Sequence, residues 1–251
     1  MITTRACATV RALRDAGQPV RAITRAVADL TDRAALAAAL TGCRGAFVLL
    51  PTIPAGDDAA HRTVATTIAG AVTDSGVPHV VLLSSFGADL PAGTGPIRWL
   101  HHLENLLRNT GAVVTAIRSP HHQEKVEDVL GAPVHPVFGA SADVPLPMVA
   151  TRDVGAAVAH ALTRPPAHSE VVDLETPEYT ERQVADQLKR EVALVPREAW
   201  AATLIEAGVS PLLATELAEL YDAGERGLLE PRDDRRHPCT TALTETLEKI
   251  L

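Results

Sequence analysis

Apolar positions in the first half of the chain fall into two alternating kinds of segment. Ala46–Leu50 (AFVLL), His79–Ser84 (HVVLLS) and Val113–Ile117 (VVTAI) are short, nearly unbroken apolar runs. Such runs mark strands buried on both faces. Pro19–Thr24 (PVRAIT) reads as a further short strand. Between these runs lie stretches of helical length over 6–16, Asp32–Leu40, Asp58–Asp74 and Pro96–Thr110. Gly17, Gly42 and Gly111 supply stops, Thr31 or Asp29 can cap the second helix, and Pro96 suits a first turn. Strands joined by such helices predict a doubly wound α/β fold with a mostly parallel sheet.

The pattern loosens after Pro120. Residues 120–130 read as helical and Val144–Val149 as extended. Thr151 opens a helix to Thr163, and Glu170–Leu174 (EVVDL) is a late strand. Thr180-x-x-Gln183 spells a capping box before a helix to about Glu191. The segments 198–207, 210–225 and 240–250 are helical, and Glu230–His237 (EPRDDRRH) reads as a solvated loop. These elements divide the chain into a sheet-bearing part, 1–175, and a mainly helical part, 176–251, closing the cleft.

Composition narrows the functional classes. The 251 residues are 46% hydrophobic, 22% charged and only 3% aromatic, so Ala, Val and Leu must build the core. A net charge of −8 with no basic stripe argues against nucleic acid as a partner. No stretch approaches the roughly 20 apolar residues of a membrane helix. Cys7, Cys43 and Cys239 are isolated, which suits reduced thiols and a cytoplasmic protein without a leader peptide. The expected partner is a small molecule, and the expected state a monomer or homodimer.

An open parallel sheet binds its ligand outside the carboxyl ends of its strands. A dinucleotide site also needs a strand, a glycine-rich turn and a helix N-terminus to receive the pyrophosphate. Here Thr3–Val10 (TTRACATV) contains no glycine, so the usual phosphate cradle is missing.

Several stretches carry a family resemblance. They are Val10–Arg25, Asp29–Pro51, His79–Ile117, Pro147–Pro165, Tyr179–Leu188 and Val195–Trp200. In that order they resemble the NmrA-like group of atypical short-chain dehydrogenase/reductases. The resemblance implies a Rossmann-like sheet, a smaller C-terminal part over the cleft, NADP or NAD as cofactor, and reduction of quinone- or enone-like substrates. Against that pattern the first strand and glycine-rich turn are missing, and a second segment is cut after Arg25. A third shortening lies around Arg190–Leu194.

The resemblance places Arg25, Leu50 and Pro51 on the cofactor side, and Ser84 and Ser85 near the nicotinamide end. His121 and His122 follow Arg118 at a strand's carboxyl end, and His101 lies on the preceding helix. Imidazoles there can transfer protons near neutral pH. These six side chains, Ser84, Ser85, His101, Arg118, His121 and His122, are the catalytic candidates. Phe86, Met148, Trp200 and Tyr221 are candidates for the substrate pocket. No metal is expected, because the histidine pair lacks a third ligand at diagnostic spacing. The pruned cofactor half leaves two alternatives to a reductase. One is a cofactor-independent isomerase, dehydratase or cyclase on a reductase scaffold. The other is a non-catalytic binding or regulatory protein.

Overall fold

The computed structural model describes residues 4–23 and 28–251. In chain order it contains α1 (Thr4–Asp15), α2 (Arg33–Leu40), β1 (Ala46–Leu49), α3 (Asp58–Ser75), β2 (His79–Ser85), α4 (Ile97–Leu107) and β3 (Val113–Ser119). Then come β4 (His121–His122), a 3₁₀ segment (Gln123–Val129), β5 (His135–Val137), β6 (Leu146–Val149), α5 (Thr151–Thr163) and β7 (Glu170–Glu175). The remainder is β8 (Glu178–Tyr179), α6 (Glu181–Gln187), β9 (Val192–Leu194), a 3₁₀ turn (Arg197–Ala199), α7 (Trp200–Glu206), α8 (Pro211–Glu225), β10 (Arg236–Pro238) and α9 (Leu243–Ile250).

The main sheet has five parallel strands in the order β1-β2-β3-β7-β10. Side chains alternate across it, so β2 feeds two cores at once. Val80 and Leu82 face α2, α3 and α4, with Leu36, Val64, Ile68, Leu103 and Leu107. Val81 and Leu83 face α5, with Val154, Val158 and Leu174. Helix α1 lies on α5, where Gly155 allows the approach: a Cβ there would stand 2.6 Å from the Ala8 carbonyl carbon. A third cluster joins Val126, Met148, Val184, Leu243 and Leu247, uniting the 3₁₀ segment with β6, α6 and α9.

The fold is therefore the predicted Rossmann-like α/β arrangement, with several local corrections. Residues 19–23 form no strand. Pro19 has no N–H for a ladder, Arg21 and Ala22 are exposed, and the Arg21 guanidinium bonds the Ala39 carbonyl instead. Thr24 lies outside the described residues. The cap of α2 is Asp32, whose carboxylate accepts the Ala35 N–H at 2.9 Å, while Asp29 receives Thr31. Residues 120–130 are a two-residue strand and a 3₁₀ segment, because His121 and His122 pair with Met148 and Val149. The charged run 230–237 is not wholly a loop, since β10 begins at Arg236. Buried Asp173 accepts the Arg232 and Asp233 N–H groups and the Arg236 guanidinium, which fixes β10 beside β7. The main sheet thus draws one strand from beyond residue 176. The capping box of α6 forms as spelled.

Candidate active site

The strands β1, β2 and β3 end together at one rim, and a crevice of about 200 Å³ opens there. Its floor is Leu83, Ser84 and Ser85 from β2, with Leu49 from β1 and Ser119 from β3. One wall is Leu50, Pro51 and Thr52, where Pro51 stops the strand. The other is Pro96, Ile97, Trp99 and Leu100, opening α4. Pro120 and His122 complete it. Strand alternation separates the histidine pair: His121 is exposed, and His122 lines the crevice with Nε2 3.4 Å from the Ser119 hydroxyl. Among the described residues, His122 is the one titratable side chain of this lining.

A charged network lies beneath. The Ser84 hydroxyl donates to Glu104 Oε1 at 2.6 Å. Glu104 is fully buried on α4 and also accepts Arg118 Nε at 3.1 Å, Arg118 Nη2 at 2.9 Å and Arg108 Nη2 at 2.8 Å. Burial opposes the charge on Arg118. Hydrogen bonding and charge from Glu104, with Asp89 and Asp173 beyond, outweigh it and raise the guanidinium above its ordinary value. Arg118 and Ser84 are thus bound to the same carboxylate, while Ser85, on the opposite face of the strand, stands half-buried at the crevice.

The walls are held by a second set of contacts. His61 is buried, accepts the Ile53 N–H at 2.9 Å and bonds the Asp57 carbonyl at 2.8 Å. Its ring stacks on Trp99 with centroids 3.4 Å apart. The Trp99 indole N–H donates to Asp58 at 2.9 Å. Burial works against the Asp58 carboxylate, but Arg62, Trp99 and Arg98 together hold it below the usual carboxylate range.

The structure brings together Leu50, Pro51, Ser84, Ser85 and His122, with Arg118 one carboxylate away. It places the other candidates elsewhere. His101 Nδ1 is bonded to the Ala88 carbonyl and Nε2 to the Asn105 amide, both at 2.9 Å. Phe86 is buried, and Met148 belongs to the third core cluster. Trp200 and Tyr221 form an aromatic group with Phe138 and are not among the crevice residues. Burial, with the charges of Glu181 and Asp128, pushes the Tyr221 hydroxyl up to about 12. Thr151 opens α5 as expected, and its N–H and hydroxyl both bond Glu124. Arg25 lies outside the described residues. Sequence reasoning missed Thr52, Trp99, Ser119 and Glu104. Trp99 and Glu104 lie about 140° apart around α4, so no helical spacing pairs them and the sequence does not say which face meets the sheet.

No group of three His, Cys, Asp or Glu among the described residues could hold a metal ion. No described helix is long and apolar enough to cross a membrane. The crevice has apolar walls that carry a few hydroxyls.

A family model described as NAD(P)H-binding matches residues 4–165. A search of curated proteins found no match. Solved structures similar to this chain include the NADPH-dependent quinone oxidoreductase of Escherichia coli in complex with NADPH. It has a TM-score of 0.79 at 20% identity, covering 98% of this chain and 96% of that one. The triphenylmethane reductase of Citrobacter sp., complexed with NADP(H), has a TM-score of 0.77 at 19% identity, covering 99% and 97%. A nucleoside-diphosphate-sugar epimerase of Staphylococcus aureus has a TM-score of 0.73 at 17% identity, covering 92% and 90%. At these identities the likeness is one of fold.

Proposed function

The chain belongs to the NAD(P)H-binding family, and from that premise we propose that it is an NmrA-like, NAD(P)H-dependent oxidoreductase. Its substrate is a small, neutral, quinone- or enone-like molecule. The observation that carries this reading is the crevice itself. It sits at the carboxyl ends of three parallel strands, its described lining carries no carboxylate, lysine or arginine, and it takes hydroxyls from β2 and β3.

NAD(P)H, when bound, supplies the hydride. The residues of this chain then have separable tasks. Leu50, Pro51 and the Trp99 wall hold a flat ring and exclude water, which strengthens every polar contact inside. Ser84 is oriented by Glu104, so its own proton is committed to the carboxylate. Ser85 offers a hydroxyl to a substrate oxygen, and His122 supplies or removes the accompanying proton. Ser119 Oγ, near His122 Nε2, helps orient that ring.

A cofactor-independent acid–base enzyme is the second reading. It is favoured by His122 lying beside the Ser119 hydroxyl in the crevice, a pair that can move a proton without a dinucleotide. Calorimetric titration with NADPH and NADH separates the two. Micromolar binding of either supports the reductase. No binding up to millimolar concentration overturns it.

A further inference from the structure

The two walls of the crevice come from separate stretches of chain, and a third element holds both. Ser210, the N-cap of α8, donates its hydroxyl to the Pro54 carbonyl just beyond the first wall. Further along α8, Glu216 makes a two-pronged pair with Arg98 on the second wall, including Nη2 to Oε1 at 2.7 Å. Arg98 also bonds the Gly95 carbonyl at 2.9 Å and Asp58 at 3.2 Å. Gly95, with φ +56°, runs so close beneath α8 that a Cβ there would overlap the Glu216 carbonyl oxygen. The Arg98 and Glu216 side chains are only 17% and 21% exposed. A forked, shielded pair holds geometry better than a surface ion pair. The crevice it braces, about 200 Å³, is smaller than the ~300–1,000 Å³ of ordinary ligand pockets.

We propose that Glu216 is a positioning residue for the crevice. Through Arg98 it holds the 95–100 wall at its distance from the 50–54 wall, and so restricts the site to single-ring ligands. The inference rests on the crevice being the ligand site, and it adds the element that sets its width.

The test uses the full chain and two neutral probes, nicotinamide (one ring) and quinoline-3-carboxamide (two fused rings), titrated by ligand-observed NMR. The unaltered protein binds the one-ring probe at least about tenfold more tightly. In Glu216→Gln the two-ring probe gains, and the ratio falls to near one. Arg98→Lys lies between, because lysine keeps the charge and loses the fork. A purely structural brace would weaken both probes alike and leave the ratio in place. An unchanged ratio in Glu216→Gln overturns the proposal, as do equal affinities in the unaltered protein or no binding of either probe. Should Glu216→Gln fail to fold, Ser210→Ala frees the other wall and predicts the same shift. A failed NADPH titration beside a shifted probe ratio sinks the reductase reading alone.

Discussion

Replacing Glu104 with leucine removes the carboxylate that gathers the Ser84 hydroxyl, two Arg118 nitrogens and one from Arg108. Leucine is close in volume, so packing changes little. Arg108 is 41% exposed at its side chain and turns to water. Arg118 cannot, at 9% side-chain exposure, and its nearest remaining acid is Asp89 at 3.7 Å. Breaking a buried pair from one side costs about 3–5 kcal/mol, and that figure dominates the expected loss. Urea unfolding followed by circular dichroism measures it as a lowered midpoint at unchanged slope. The double variant Glu104→Leu with Arg118→Met is the stricter check. It removes both charges together, so stability returns to within about 1 kcal/mol of the parent. A single-variant loss below about 1 kcal/mol, or a double variant worse than the single, refutes the reasoning.

Three further outcomes follow from the same contacts. Gly155→Ala gains roughly 1 kcal/mol of helix propensity but forces α1 off α5, since its Cβ meets backbone at 2.6 Å; a net loss of about 1–2 kcal/mol in chemical denaturation is expected, and net stabilisation contradicts the packing. His79 is held below its ordinary value of 6.5 by burial, as are His102 and His237, with added repulsion from Arg62 and from His160 respectively. The folded state therefore resists protonation that the unfolded chain accepts, so stability is full above pH 6.5 and is lost as pH falls below it towards the lowered folded values. Melting temperatures that rise on acidification through this window would contradict that sign, and His79→Gln should flatten part of the fall. His122→Ala is expected to lower kcat about 10²–10⁴-fold while leaving the NADPH dissociation constant nearly unchanged; unaltered turnover removes His122 from the chemistry.

The parts of the fold that were legible in the sequence are those written in local pattern. AFVLL, HVVLLS and VVTAI announce buried strands because neither face needs a polar residue. Pro19–Thr24 also reads as a short strand, yet a strand needs a neighbour, and no periodicity reports one. Arg236–Pro238 shows the converse: its charges read as solvent-facing, but Asp173, 63 residues earlier, receives the Arg236 guanidinium. Of the crevice lining, Ser84, Ser85 and His122 could be picked out because strand ends define a rim, while Leu50 and Pro51 came from the family resemblance. Trp99 and Glu104 were not, because only tertiary packing decides which face of α4 meets β2. The Arg98–Glu216 pair spans 118 residues and leaves no local trace. Trp200 and Tyr221 drew attention as rare aromatics, but they pack on Phe138 instead of the crevice.

The crevice contains one of the two tryptophans, Trp99, and the other lies with Tyr221. Titrating the Trp200→Phe protein with NADPH while recording tryptophan emission therefore reads the crevice alone. A nicotinamide site there predicts saturable loss of Trp99 emission at micromolar NADPH, removed by competing nicotinamide. Emission that stays constant to millimolar NADPH, after correction for absorption by the nucleotide, would contradict it.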